Sequence, residues 1–297
     1  MRVAVIDVGS NTARLLVARV DAAGSVTPVA EARSYLRLGA EIERTGTLGR
    51  KKIAAAAEIC GTYAREAAEL DADRLTVIVT APGRQGASAA ALTAALRRAT
   101  GVPVRVLTAA EEGRLAYDGA VARATGNLPD VVAVVDVGGG STEIAVGTPL
   151  LGAAWVRSAD LGSLRLTRAH LPGDPPTGAQ IAAAAGAVFR ALDDLDPPCP
   201  DLALAVGGSA RALTKIAGPR LDAGSLEEAV QILARRPAAK VARPFGISPD
   251  RAETLLAGAL LLAGASRVLG APLELGRGGL REGAALELAA REAVQAA

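Results

Sequence analysis

Two segments of this chain combine a carboxylate, a glycine turn and hydroxyl side chains. The first is 7–12, Asp-Val-Gly-Ser-Asn-Thr, and the second is 136–143, Asp-Val-Gly-Gly-Gly-Ser-Thr-Glu. Glycine lets the backbone present several N–H groups on one concave side, where an anion can approach closely. A tight hairpin without a ligand explains either segment alone equally well, but the recurrence favours phosphate binding. The predicted phosphate-binding residues are Gly9, Ser10, Asn11, Thr12, Gly138, Gly139, Gly140, Ser141 and Thr142.

The aspartates of these segments end apolar, β-branched runs, where an unpaired carboxylate is costly. A divalent cation offsets that cost, and Mg²⁺ prefers carboxylate oxygens together with substrate phosphates. Glu143 follows the second glycine turn and can reach the same cation as Asp136. We therefore predict Asp7, Asp136 and Glu143 as ligands of Mg²⁺ or Mn²⁺. Hydrogen bonding to the turn backbone is the alternative for each aspartate.

Two further polar groups follow predicted strands. Glu111 and Glu112 open a helix, where the helix dipole alone favours acidic residues. A carboxylate beside bound phosphate can instead orient a water molecule for in-line attack. Arg84 lies in a Pro-Gly turn, and its planar guanidinium matches the oxygens of a terminal phosphate. A solvated surface arginine is the alternative.

The elements around these residues alternate between strands and helices, which predicts an α/β fold. Each glycine segment joins two apolar runs, so each predicts a hairpin, and its recurrence half a chain later indicates two related lobes. We place the lobes at 1–120 and 121–297, with the terminal helix free to pack back on the first lobe. Helices are predicted at 50–70, 87–100, 178–195, 225–234, 249–269 and from 281, and strands at 75–80, 104–107 and 202–206.

Composition narrows the class of protein. A chain of 297 residues that is 50% apolar can form two cores, and a net charge of +2 does not indicate a nucleic-acid binder, although it leaves a local basic groove open. Cys60 and Cys199 give no disulfide framework or zinc site, and the lone His170 is expected to be structural. The apolar run at 255–265 is too short to span a bilayer. We expect a cytoplasmic enzyme with no membrane or nucleic-acid partner, and a homodimer stays open.

Taken in order along the chain, these motifs resemble the exopolyphosphatase/guanosine pentaphosphate phosphohydrolase (Ppx/GppA) family. The resemblance is carried by segments 7–16, 111–114, 136–143, 162–163, 207–209 and 279–283. It implies two ribonuclease-H-like lobes of the actin-like ATPase/sugar kinase superfamily, with the site in an interlobe cleft. It also implies a short form without a C-terminal helical domain, and a third phosphate loop made of Gly207, Gly208 and Ser209.

The resemblance implies a phosphohydrolase that releases terminal orthophosphate from inorganic polyphosphate, from guanosine pentaphosphate or from both. It assigns Glu112 as general base, Arg84 as phosphate clamp, and Asp136 with Glu143 as the Mg²⁺ side. Two departures from the family pattern are Ala210-Arg211 after the third loop and Arg277 where an acidic residue is common. The alternatives are a kinase of the same superfamily that uses ATP, and a non-catalytic regulator that binds guanosine tetra- or pentaphosphate.

Overall fold

The computed structural model describes the backbone of residues 1–296 and the side chains of residues 1–293. The chain forms two compact units. Unit 1 contains Met1–Arg123 together with the C-terminal segment from Gly278, and unit 2 is Ala124–Arg277. The chain passes into unit 2 close to the predicted boundary at 120/121, and the terminal helix lies in unit 1. The same residues contain no helix that is both long and apolar enough to cross a bilayer.

Unit 1 is built on a five-stranded sheet in the order β3-β2-β1-β4-β5. Its strands are β1 (Arg2–Val8), β2 (Thr12–Val20), β3 (Val26–Tyr35), β4 (Arg74–Val79) and β5 (Val104–Val106). The first three strands are antiparallel, and β4 and β5 continue the sheet in parallel with β1. The helices of the unit are α1 (Leu38–Thr45), α2 (Arg50–Glu69), α3 (Ala81–Gln85), α4 (Ala89–Thr100), α5 (Ala109–Ala122) and α13 (Leu280–Ala296).

The central strand β1 is buried on both faces, which explains the unbroken apolar run at 3–6. Ala4, Ile6 and Val8 face a core that includes residues of α2 and α4. Val3 and Val5 face a second core that includes residues of α5 and α13. Because side chains alternate across a strand, one strand supplies both helix layers.

Unit 2 repeats this plan on a six-stranded sheet in the order β10-β11-β9-β6-β7-β8. Its strands are β6 (Val132–Val137), β7 (Thr142–Thr148), β8 (Gly152–Ala159), β9 (Leu202–Val206), β10 (Arg220–Leu221) and β11 (Leu273–Leu275). β6, β7 and β8 are antiparallel, while β9 and β11 run parallel to β6. The helices are α6 (Ser163–His170), α7 (Gly178–Leu192), α8 (Gly207–Ala217), α9 (Ala223–Ala234), α10 (Ala238–Ala242), α11 (Pro249–Ala252) and α12 (Leu255–Leu269).

The strand order from β8 to β11 matches that of unit 1 from β3 to β5, so both units have the ribonuclease-H-like arrangement of three antiparallel strands followed by parallel ones. The predicted fold class, an α/β protein with two such lobes, is confirmed. Both glycine segments join hairpin strands, as predicted.

Three local predictions are wrong. The helix predicted at 249–269 is two helices, α11 and α12, because the backbone leaves the helical region at Thr254. The turn at 80–85 forms the short helix α3, and 207–209 is the first turn of α8 and not a loop. Both cysteines are free; Cys60 is fully buried, and burial raises the pKa of its thiol to about 12, whereas Cys199 is exposed.

Candidate active site

The hairpin loop of unit 1 is held from one side by the chain that precedes α1. Gly9 N–H donates to the carbonyl of Thr12 at 2.9 Å and closes the turn. The carbonyl of Ser10 accepts a 2.7 Å bond from Gly39 N–H, and the carbonyl of Asn11 accepts from two successive amides, at 36 and 37. These bonds hold the carbonyls of Ser10 and Asn11 against the start of α1 and the residues before it.

The hairpin loop of unit 2 is held by the start of α6. The carbonyl of Gly138 accepts from Ser163 through both N–H, at 2.9 Å, and Oγ, at 3.1 Å. The carbonyl of Gly139 accepts from the next two amides of the helix, at 164 and 165. Within the described part of the chain, no acceptor is paired with the N–H groups of Gly139 and Gly140. With its carbonyls turned to the helix, the loop keeps these donors for an anion.

Gly162 allows this contact between loop and helix. A Cβ at this position would collide with the carbonyl group of Gly139 and would lie 2.5 Å from the nitrogen of Gly140. Both neighbours are backbone atoms, so no side-chain rotation relieves the clash. The sequence singled out Gly162-Ser163 only by resemblance, and the structure gives the physical reason for both residues.

The third segment predicted to bind phosphate forms the first turn of α8. The N-cap, Val206, offers no side-chain bond, so the first amides of the helix lack a capping partner. Such a helix start attracts phosphate through its N–H groups and the helix dipole. Gly207 has φ +84, and a Cβ there would lie 2.7 Å from Oδ1 of Asp136. The glycine therefore lets the Asp136 carboxylate approach the helix start.

The two hairpins differ in the residue that lies opposite the aspartate. In unit 1 the register pairs Asp7 with Arg14, and in unit 2 it pairs Asp136 with Glu143. Residues directly opposite on antiparallel strands share a face of the sheet. A pair of carboxylates therefore exists only in the second hairpin, and the first has an aspartate beside an arginine.

Asp136 and Glu143 fit a hard divalent cation. Glu143 is 2% exposed, and its Oε1 accepts a 2.8 Å bond from Ser158 Oγ, which orients the carboxylate. Among the residues that the structure describes, no group of three His, Cys, Asp or Glu side chains is placed to bind a metal. Mg²⁺ does not need one, because it is commonly bound by one or two carboxylates plus waters and substrate phosphates.

The Asp7 carboxylate has one buried oxygen, Oδ1, that lacks a hydrogen bond within residues 1–293. Burial raises the pKa of Asp7 above its ordinary value and Glu282 adds to the rise, while Arg14 and Arg281 oppose it. An orphaned carboxylate oxygen beside a glycine turn is an acceptor for a ligand, so Asp7 stays a candidate for the metal or for water bound to it.

We expect Asp7→Asn to stabilise the fold at neutral pH. Because the folded-state pKa lies above the unfolded one, the ionised carboxylate costs stability, and this cost falls as the pH drops through the raised pKa. The amide keeps the shape without the charge, so a gain on the order of 1 kcal/mol is expected at pH 7. Urea unfolding at pH 7 and about pH 4 measures it. A variant less stable than wild type at pH 7 would contradict this account of Asp7.

The two adjacent glutamates of α5 have different roles in the structure. Glu111 forms a capping box with Thr108: its Oε2 accepts from Thr108 N–H at 2.7 Å, and its own N–H donates to Thr108 Oγ1 at 3.2 Å. These bonds to Thr108, assisted by Arg105, lower the pKa of Glu111. Glu111 therefore holds the helix start.

The Glu112 side chain points away from α5 in another direction and forms an ion pair with Arg84. The distance from its Oε2 to Arg84 Nη1 is 2.6 Å, and the same Nη1 donates to the carbonyl of Leu107 at 2.6 Å. The side chains are 12% and 23% exposed, so the pair is shielded but within reach of a small ligand. This contact could not be predicted from the sequence, because it depends on β4 and β5 lying side by side.

Two ribonuclease-H-like units, each with a glycine hairpin and an aspartate, define a phosphoryl-group enzyme of the α/β class. The model of the Ppx/GppA phosphatase family matches residues 16–292, so the chain belongs to that family. It is a phosphohydrolase by this membership, and the family predicted from the sequence is confirmed.

The family assignment is supported by named relatives and by a solved structure that resemble this chain. The chain is 30% identical over 285 residues to Exopolyphosphatase 1 of Mycobacterium leprae, covering 91% of this chain and 84% of that one. It is 31% identical to Exopolyphosphatase 2 of Mycobacterium tuberculosis, with coverages of 90% and 91%. The crystal structure of the Aquifex aeolicus Ppx/GppA family member superposes with a TM-score of 0.83 at 26% identity, over 98% of both chains.

Proposed function

We propose that this chain is an exopolyphosphatase, which releases terminal orthophosphate from inorganic polyphosphate, from guanosine pentaphosphate or from both. The observation that carries the proposal is the Glu112–Arg84 pair. It places a carboxylate that can accept a proton against a cation that can bind phosphate. Both mycobacterial relatives are named as exopolyphosphatases, which supports polyphosphate as the substrate.

In the proposed reaction, water attacks the terminal phosphorus in line with the bridging oxygen. A P–O bond to the water oxygen forms, the bridging P–O bond breaks, and the shortened chain leaves with the bonding electrons. Glu112 accepts the proton of the water as general base. Phosphoryl transfer needs little covalent help from the enzyme, so positioning and charge supply most of the acceleration.

Arg84 has two tasks in this proposal. Its Nη1 bonds to Glu112 and to the Leu107 carbonyl, which fixes the carboxylate in one position. In the described chain, its Nε and Nη2 make no hydrogen bond, so they are available to oxygens of the terminal phosphate. The guanidinium thus serves as the predicted phosphate clamp while it also orients the base.

The glycine hairpins and the start of α8 are proposed to bind phosphate groups of the substrate through backbone N–H donors. Asp136 and Glu143 would hold Mg²⁺ or Mn²⁺. When bound there, the cation supplies positive charge against the phosphate oxygens. The Asp136 carboxylate also lies beside Gly207, at the positively polarised start of α8. It is therefore close to the N–H groups that are proposed to bind phosphate.

A single assay separates this function from a kinase and from a non-catalytic nucleotide sensor. The chain is incubated with polyphosphate, guanosine pentaphosphate or ATP, with and without Mg²⁺, and released orthophosphate and transfer products are measured. Mg²⁺-dependent orthophosphate from the first or second substrate supports the proposal. Phosphoryl transfer from ATP to an acceptor, or binding of the guanosine nucleotide without turnover, would favour the alternatives.

Arg84→Ala should lower kcat/KM by about 10- to 150-fold, which corresponds to loss of about 1.5–3 kcal/mol of charge-assisted contact. The fold should survive, because α3 packs through Ala81 and Pro82 and the Arg84 side chain is only partly buried. Arg84→Lys keeps the charge but cannot donate to Glu112, Leu107 and phosphate together, so it should fall between wild type and alanine. Steady-state kinetics on polyphosphate measure the series, and an unchanged kcat/KM in Arg84→Ala would remove Arg84 from the site.

A further inference from the structure

Unit 2 carries a concentration of positive charge that the proposed reaction does not use. Between Glu228 and Asp250 the sequence contains four cations and no carboxylate, in a chain whose whole net charge is +2. We call Arg235, Arg236, Lys240 and Arg243 the basic patch. All four are exposed, and none forms an ion pair or hydrogen bond through its side chain with the residues that the structure describes.

Three residues of the basic patch, Arg235, Arg236 and Lys240, line a cavity at the end of α9. The cavity has a volume of 330 Å³ and is lined by Ile232, Arg235, Arg236, Lys240, Val241, Pro244 and Phe245. The helix ends before Pro237, whose carbonyl accepts from Lys240 N–H at 2.8 Å, so one tight turn brings the cations of α9 and α10 together. Three positive charges line this one cavity, and an anionic ligand would relieve their mutual repulsion.

The basic patch is connected to the phosphate-binding start of α8 within the same unit. Lys215, on the last turn of α8, donates through Nζ to the carbonyl of Gly246 at 2.8 Å. Arg251, just beyond the patch, donates through Nη1 to Oγ of the fully buried Ser209 at 3.3 Å. The segment that carries the patch is therefore anchored at both ends of α8.

We propose that the basic patch is an accessory binding site for the internal phosphates of a linear polyphosphate chain. This rests on the proposed function and deepens it, because it favours the long chain over the guanosine nucleotide as substrate. Every internal phosphate of the polymer carries a negative charge, which suits a row of flexible, exposed cations. The cavity beside the patch has one aromatic lining residue, the half-buried Phe245, and so lacks the stacking surface that bases require.

When the patch binds one part of a polyphosphate chain, the end of that chain is held near the protein, which raises its local concentration at the reaction site. We therefore expect an effect that depends on chain length. A long polyphosphate chain held at the start of α8 can extend to the patch within the same unit, because α8 has 11 residues and so spans about 16 Å at 1.5 Å per residue. Tripolyphosphate has a single internal phosphate and is too short to extend to the patch, so the patch should not affect its turnover.

The test compares two triple variants of the full chain that lose the same charge. The patch variant is Arg235→Gln/Arg236→Gln/Lys240→Gln. The matched control is Lys51→Gln/Arg97→Gln/Arg98→Gln, on the exposed surfaces of α2 and α4 in unit 1. We expect the patch variant to raise KM for long-chain polyphosphate by about tenfold or more, with KM for tripolyphosphate and kcat unchanged. The control should resemble wild type with both substrates.

The salt dependence gives a second readout. Removing three cations that neutralise phosphates should reduce the slope of log KM against log salt by about two, at ~0.7 ions released per phosphate of a flexible strand. Equal KM values and equal slopes in the patch and control variants would overturn the proposal.

A direct binding measurement tests the accessory site independently of whether the chain hydrolyses polyphosphate. Fluorescently labelled long-chain polyphosphate is titrated into wild type and both variants in excess chelator, where turnover is not needed. If wild type hydrolyses neither substrate, the proposed function fails, while weaker binding by the patch variant alone still supports the accessory site. If the patch variant lost binding to a single-stranded oligonucleotide as strongly as it lost binding to polyphosphate, the patch would be a general polyanion surface. That result would contradict the polyphosphate assignment.

Discussion

Glu112→Gln is expected to lower kcat on polyphosphate by about 10²–10⁴-fold, the usual contribution of a general base. The amide keeps the shape of the side chain and can still contact Arg84 Nη1, now 2.6 Å from Oε2, but it cannot take the proton of the attacking water. Substrate binding should survive or tighten, because a negative charge near the polyanion is removed. Single-turnover kinetics together with equilibrium binding separate these two effects.

Glu111→Gln is the matched control. It changes the same residue type one position away on α5, and glutamine also serves at this position of a capping box. Its oxygens contact Thr108 and Arg105 and not Arg84. We expect a small loss of stability and nearly normal kcat. Comparable activity in wild type and folded Glu112→Gln would exclude Glu112 as the base, and a large loss confined to Glu111→Gln would transfer that role to Glu111.

Gly162→Ala should have the second largest effect. The new methyl group would be driven into the backbone of Gly139 and Gly140, so either the loop or the start of α6 must move. Such overpacking typically costs about 1–3 kcal/mol of stability. Displacing phosphate-binding amides by even 1 Å can cost about 10²-fold in rate, so kcat/KM should fall by at least that order.

Gly178→Ala provides the comparison for that substitution. Gly178 lies at the start of α7 in the same unit, and a Cβ there would meet nothing within 4 Å. The same chemical change should therefore leave both the melting temperature and kcat/KM close to those of wild type. If Gly162→Ala behaved like Gly178→Ala in both measurements, the contact between loop and helix would not position the phosphate site.

The parts of the molecule that follow from local pattern could be predicted from the sequence. Each glycine hairpin joins two apolar strands, so its position is fixed by a short stretch of residues. The strands β3 and β8 were not predicted, because both lie at sheet edges and mix apolar residues with polar and small ones, so no clear apolar run marks them. The start of α8 was taken for a loop because glycines normally signal one, while here Gly207 is needed for the approach of Asp136.

The candidate site was harder to predict than the fold, because it depends on contacts between residues that are far apart in the sequence. The sequence identified Glu112 and Arg84 separately but could not show that they form an ion pair, since 28 positions separate them. The sequence already grouped Asp136 with Glu143, but it gave Asp7 the same role without showing what lies opposite it. The register shows that Asp7 lies opposite Arg14, whereas Asp136 lies opposite Glu143.

The central claim is that water attacks the terminal phosphorus of the substrate. The direct measurement is turnover of polyphosphate in water enriched in oxygen-18, with mass spectrometry of the released orthophosphate and of the shortened chain. We expect each orthophosphate to contain one solvent oxygen and the remaining chain to contain none. Label found in the shortened chain, or unlabelled orthophosphate, would place the attack on a different phosphorus or require a different nucleophile, and would exclude attack of water on the terminal phosphorus.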